Sequence, residues 1–277
     1  MLIDSHCHLH DREFFSEAQA EEMLKRAHEK GVEKIICIGT SHEDSLVARD
    51  FAKKHENVYW TYGIHPEYAN NKVVGVPSLV SRSGARPAGP SPWAAGAKSR
   101  AAALRTPLRQ DTSTTPAPIA IGEVGLDYHY DGHDRAAQIR LFEEMLQLAI
   151  DNDLPLSFHV REAFNDFFPV VANFPTARGV VHSFSDNKKN LKRILTETDF
   201  YVGVNGMATY STLPTPPIDR IILETDAPFL TPKPFRGIIN EPAYVPAVAE
   251  WLSDKLGLDY KIIERETTKN ARKLFNI

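Results

Sequence analysis

Asp4-Ser5-His6-Cys7-His8 closes a short apolar run near the first residue. In extended chain, side chains two apart point the same way, so His6 and His8 can present imidazoles to one ion while Cys7 faces away. Two imidazoles supply half of a four-ligand site, and the pair alone equally suits surface histidines at a strand end. Four more groups follow apolar runs in the same manner. Glu123 follows Ile-Ala-Ile-Gly, His159 follows Leu-Pro-Leu-Ser-Phe, His182 follows Gly-Val-Val and Asp226 follows Ile-Ile-Leu-Glu-Thr. Imidazoles mixed with carboxylates hold divalent cations. Neutral imidazole suits Zn²⁺ or Mn²⁺, and an N/O site with open positions also accepts Mg²⁺.

The elements that must position these groups read as a parallel α/β protein, with short apolar runs alternating with helical patterns. Eight strands are expected, at residues 2–5, 34–39, 58–63, 119–122, 155–159, 179–182, 200–204 and 220–225. That pattern predicts one (β/α)8 TIM-type barrel over residues 1–277. All five runs that end in a candidate ligand would deliver it to the C-terminal ends of the strands, the face where barrel active sites sit. Ser16 and Gln19 form a capping box for the first helix, and Gly31 stops it. Ser41 opens the next helix, with Asp44 three residues on. Phe142, Met145, Leu146 and Ala149 share one face of a helix between the fourth and fifth strands.

Two departures interrupt the alternation. Residues 71–118 are rich in Ala, Ser, Pro, Gly and Arg, with seven basic residues against Asp111 alone, so they carry +6 and the remainder −10. Such a composition predicts a low-complexity, disordered insertion after the third strand. The seventh crossover, between Val204 and Arg220, contains Pro214, Pro216 and Pro217 and is barely long enough for a helix. A shortened connection is expected there. Each missing helix would leave one apolar flank of the barrel uncovered, at roughly 25 cal/mol per Å² of lost burial.

Composition sets further bounds. The 277 residues are 42% hydrophobic and 25% charged, with a net charge of −4, which gives no global attraction to nucleic acid or acidic membranes. Any polyanionic substrate must therefore be held by local cations or bound metal. Cys7 and Cys37 match no zinc or disulfide framework. Asp4, His6 and His8 stand where a signal peptide needs apolar residues, and no apolar run approaches the roughly 18 to 20 residues of a membrane span. A reduced, soluble, cytoplasmic protein with no membrane contact and no obligate protein partner is expected.

Several blocks carry a family resemblance. They are Asp-Ser-His-Cys-His-Leu, Gly-Ile-His-Pro at 63–66, Ile-Gly-Glu-Val-Gly-Leu-Asp-Tyr at 121–128, His182-Ser-Phe-Ser and Glu224-Thr-Asp-Ala-Pro. With Arg236-Gly237, Asn240-Glu241-Pro242 and Tyr244-Val245, they make the chain resemble the TatD-family metal-dependent deoxyribonucleases, which are amidohydrolase-like barrels. The resemblance covers nearly everything outside 71–118. It implies divalent-metal-dependent hydrolysis of DNA phosphodiesters, commonly as a 3′-to-5′ exonuclease. By position it places His6, His8 and Asp226 on one ion, His159 and His182 on the other, and Glu123 between them. Two such cations, roughly 3.5 to 4 Å apart, bind the attacking water and neutralise the phosphate. Asp226 and Glu123 are the expected catalytic carboxylates, with Asp226 orienting or deprotonating the water.

The substrate-binding candidates are His65, Arg161, Glu224 and Arg236. His65 ends the third strand and by resemblance lies near substrate phosphate. Arg161, two residues after His159, suits either a phosphate or solvent. Glu224 shares a strand side with Asp226 and serves as an orienter or as another pocket acid. Arg236 is placed by the resemblance. His129 and His133 read as an ordinary exposed loop. Two other readings stay open: an amidohydrolase-like enzyme for a small amide, ester or phosphotriester, and a non-catalytic metal-binding or nucleic-acid-binding chain with an impaired barrel.

Overall fold

The computed structural model describes residues 1–70 and 116–277, so the insertion expected at 71–118 lies almost wholly outside the described residues. Eight strands form one parallel sheet in sequence order: β1 (Leu2–Cys7), β2 (Val32–Cys37), β3 (Val58–Tyr62), β4 (Ala120–Asp127), β5 (Leu156–Arg161), β6 (Gly179–Val181), β7 (Tyr201–Val204) and β8 (Ile221–Leu223). A parallel bridge between Cys7 and Ala227 joins the two ends of the sheet, which makes the expected TIM-type barrel. The seam is held by polar groups. Asp4 accepts from the Thr225 amide at 2.9 Å and from its hydroxyl at 2.6 Å, while the Asp226 amide donates to the His6 carbonyl at 2.8 Å.

The helices are α1 (Glu17–Glu29), α2 (His42–Ala52), α3 (Arg135–Asp151), α4 (Phe164–Ala172), α5 (Lys188–Glu197), α6 (Val245–Leu256) and α7 (Tyr260–Phe275). The start signals read in the sequence act as expected: Ser16 and Gln19 cap α1 reciprocally, and Ser41 accepts from the Asp44 amide. Phe142, Met145, Leu146 and Ala149 are all buried on α3. Phe142 and Phe167 stack 5.8 Å apart, and both meet Phe158 of β5 edge-on, which fixes α3 and α4 against the strand that carries His159.

The seventh crossover is short, as expected, but its flank is not bare. Two 3-10 turns, Gly206–Tyr210 and Ile218–Arg220, stand where a helix would be. Trp251 of α6 and the 213–216 stretch close over Val202 and Val204, both of which are buried. A later helix, α6, and the proline-bearing loop thus stand at the flank where a seventh-crossover helix would be. Near the boundary of the described residues, Trp60 of β3 is buried and its indole N–H donates to the Pro116 carbonyl at 2.9 Å. Among the described residues, no helix is long and apolar enough to cross a membrane.

Candidate metal centre

The strands bring all six sequence-derived ligand candidates together, though not all from strand ends. His6 is the penultimate residue of β1 and His8 follows it; His182 follows β6, and Asp226 lies just beyond β8. Glu123 instead sits in the middle of β4, and His159 lies two residues before the end of β5. Both strands outrun their sequence-derived bounds because Val124 to Asp127 pair onward with Phe158 to Arg161. A register shift between Ile121 and Val124 marks a bulge at Glu123, the kind of irregularity that re-aims a side chain. Gly125, at φ +147°, makes this pairing possible, since a Cβ there would lie 2.0 Å from the His159 carbonyl oxygen. Asp226 and Ser183 also hold left-handed backbone, at φ +59° and +47°, strain of about 1–2 kcal/mol each that the surrounding bonds sustain.

One ligand group comprises His6, His8, Glu123 and Asp226. His6 Nε2 lies 3.4 Å from Glu123 Oε2 and 3.6 Å from Asp226 Oδ1, and His8 Nε2 lies 3.8 and 3.6 Å from the same atoms. Four tetrahedral donors bound at zinc-like lengths stand about 3.4 Å apart, so the spacing suits one ion. His8 Nδ1–H donates to the Ile38 carbonyl at 3.1 Å, which turns the lone pair of Nε2 toward the group. His6 Nδ1 hydrogen bonds Ser157 Oγ at 3.2 Å, and its buried Nε2 has no hydrogen-bond partner. An orphaned imidazole nitrogen facing two carboxylates fits a cation.

Glu123 turns its other oxygen to a second group. Oε1 lies 2.6 Å from His159 Nδ1 and 2.8 Å from His182 Nε2, and those nitrogens are 3.3 Å apart. Glu123 thus spans both groups, as a bridging ligand must. His159 Nε2 donates to Asp127 Oδ2 at 3.0 Å, the carboxylate support that ligating histidines use. His6, His8 and Asp226 form one compact trio, His6, Glu123 and His182 a second, and His65, Asp127 and His159 a third.

Electrostatics favour anionic carboxylates here. Burial works to raise Glu123, but His182, His159 and His6 outweigh it and hold its carboxyl well below the usual range. Burial likewise opposes ionisation of Asp226, and His8, His6 and His182 prevail. Burial and the neighbouring His182 push His6 down to about 4, which leaves its imidazole neutral, as ligation requires.

His8, Glu123, His159, His182 and Asp226 line a cleft of about 650 Å³, with His6 buried behind them. His65 and Arg161 line it too. His65 Nδ1 accepts from the Glu67 amide at 3.3 Å, so a neutral His65 carries its proton on Nε2, which lies 3.8 Å from Glu123 Oε1. Glu224 does not line the cleft. It is fully buried and accepts from the Ser183 amide at 2.6 Å and from Asn205 Nδ2 at 3.3 Å, so it braces the loop that carries His182. Burial pushes its carboxyl up to about 8. Arg236 is exposed and rests over the Tyr210 ring, off the cleft lining, because the loop after β8 carries it outward. His133 stacks on Tyr128 and His129 pairs with Glu162, both at the exposed loop the sequence suggested. Sequence reading missed Asp127 and Asn205. Asp127 had a usable signal: it lies four residues after Glu123, an even spacing on a single strand.

The family model described as "TatD related DNase" matches residues 3–276. An "Uncharacterized metal-dependent hydrolase" of Buchnera aphidicola is 30% identical over 100% of this chain and 96% of its own. The "3'-5' ssDNA/RNA exonuclease TatD" of Erwinia tasmaniensis is 29% identical over 93% of each chain. In fold, the chain resembles the TatD homologue YJJV of Escherichia coli, with a TM-score of 0.77, 24% identity and coverage of 100% and 98% of the two chains. Fold, ligand geometry and family match converge: the chain belongs to the TatD-related DNase family of metal-dependent hydrolases.

Proposed function

We propose that the chain hydrolyses phosphodiester bonds in DNA with two divalent cations, held by His6, His8 and Asp226 on one side and His159 and His182 on the other, with Glu123 shared. The carrying observation is that the two oxygens of Glu123 face two separate imidazole groups. Mg²⁺, Mn²⁺ or Zn²⁺ bound there would neutralise phosphate charge and acidify the attacking water. The chain's own groups do the rest. Asp226, at the cleft surface, accepts the proton of the water whose oxygen bonds to phosphorus as the P–O bond to the leaving sugar breaks. His65 directs its Nε2–H at a non-bridging oxygen, and Arg161 supplies a fixed positive charge at the cleft wall. Glu224 and Asp127 orient His182 and His159. The name of the Erwinia relative supports single-stranded nucleic acid as substrate and a 3′-to-5′ direction.

The test is an assay of metal-depleted protein on single- and double-stranded DNA, RNA and a generic phosphodiester, with His159→Ala as control. Activity should vanish in EDTA and return with Mg²⁺ or Mn²⁺. Hydrolysis that persists after verified metal removal, or cleavage of small amides or lactones alone, overturns the reading.

A further inference from the structure

Phe14, Phe229 and Tyr130 are exposed at 45%, 48% and 66%, unusual for large apolar or aromatic groups, and all three line the ligand cleft. Phe14 sits in the loop after His8. Phe229 sits in the turn after Asp226, whose carbonyl accepts its amide at 2.8 Å. Their rings meet edge to face, 5.3 Å apart at 83°, an arrangement that leaves ring faces free for another planar group. Tyr130 belongs to the loop after β4, and the Arg161 guanidinium lies 5.4 Å from its ring centre. Strand order sets β4 and β5 across the barrel from β8 and β1, so the aromatic groups stand on opposite walls.

Charge narrows the ligand. Among the described residues lining the cleft, Arg161 is the only Lys or Arg, against Asp11, Glu67, Asp127, Glu123 and Asp226. A duplex gripped by its backbone needs several cations tracking the phosphates. An unpaired strand exposes base faces, and these stack on aromatic rings whatever their sequence. We propose that Phe14 and Phe229 form a stacking subsite for an unpaired nucleobase beside the scissile phosphate, with Tyr130 and Arg161 as the opposing platform. This rests on the phosphodiesterase reading above. The subsite is tied to the centre through short loops, so a base seated there places its phosphate near His8 and Asp226.

The test compares kcat/KM for a single-stranded oligodeoxynucleotide with that for the same strand bearing abasic sugars around the cleaved bonds. Phe14→Ala and Phe229→Ala should each lose about 5- to 150-fold on the base-bearing strand, mostly in KM, the worth of one stacked base. On the abasic strand they should stay within about twofold of wild type, since no stacking contact is left to lose. Phe14→Tyr and Phe229→Trp should retain activity. Equal losses on both strands overturn the proposal, as does a wild type with no preference for single strands over duplex. Bound metal is quantified in every variant; if an alanine variant loses it, Phe14→Leu and Phe229→Leu keep the bulk without the ring face, and full activity of both on the base-bearing strand overturns stacking. A wild type that cleaves neither strand overturns the phosphodiesterase reading instead.

Discussion

Asp127 offers the most direct test of how the second ligand group is oriented. Its Oδ2 accepts from His159 Nε2 at 3.0 Å and its Oδ1 from the His129 amide at 2.9 Å. The backbone is held separately: Gln138 bonds the Asp127 amide and carbonyl, both at 2.8 Å. A side-chain change should therefore disturb His159 and leave the strand in place. Outer partners of ligating histidines contribute about 10- to 100-fold in metal affinity, or roughly 1.4 to 2.7 kcal/mol. Asp127→Asn keeps one accepting oxygen for His159 and loses the charge and the acceptor for the His129 amide, so it should fall near the tenfold end, with Asp127→Ala near the hundredfold end. Titration of metal-depleted protein with Mn²⁺ against a chelating dye separates the two sites. Only the site that includes His159 should shift, because Asp127 bonds His159 and lies outside the His6, His8 and Asp226 trio. At saturating Mn²⁺, kcat should recover most of its loss. Unchanged affinity in Asp127→Ala would refute the argument, and equal weakening of both sites would show general disruption.

Other outcomes follow from the same geometry. His159→Ala and Asp226→Asn should fold normally by circular dichroism yet lose about a thousandfold or more in kcat, since each removes a cation ligand; near-normal turnover would mean a misassigned site. Gly203→Ala should destabilise the protein by about 1–3 kcal/mol in urea titration, because its Cβ would sit 2.4 Å from the buried Glu224 Oε2. An unchanged midpoint would show that Glu224 can yield. Replacing residues 72–115 with a short Gly/Ser linker removes seven cations and none of the candidate ligands. Metal stoichiometry and kcat should persist while KM for DNA rises mainly at low ionic strength; loss of bound metal would make the segment part of the barrel.

The barrel and its six candidate ligands were visible in sequence because parallel strands buried on both faces read as apolar runs, and a polar residue after such a run stands out. Strand length was less legible. Glu123 interrupts the run of β4, and nothing local shows that Val124 to Asp127 continue the pairing with β5 beyond it. Asp127 consequently looked like loop. Trp251 was invisible as the cover of Val202 and Val204, since that contact spans nearly fifty residues of chain. The position of Arg236 was illegible for a similar reason: a motif match places a residue in order along the chain, while the path of the loop after β8 sets it over Tyr210, off the cleft lining.

The seam between β1 and β8 has a consequence for biosynthesis. His6 and His8 are synthesised more than two hundred residues before Asp226 and the Thr225 groups that grip Asp4. Contacts so distant in sequence form late in folding, and domains made vectorially keep their first strand unpaired on one side until the last arrives. A nascent chain can gather imidazoles from β1, β5 and β6, yet it lacks the carboxylate assigned to accept the proton. The candidate metal centre is therefore complete only when the barrel closes, so that a chain stalled or cut before residue 226 lacks one of its six candidate ligands.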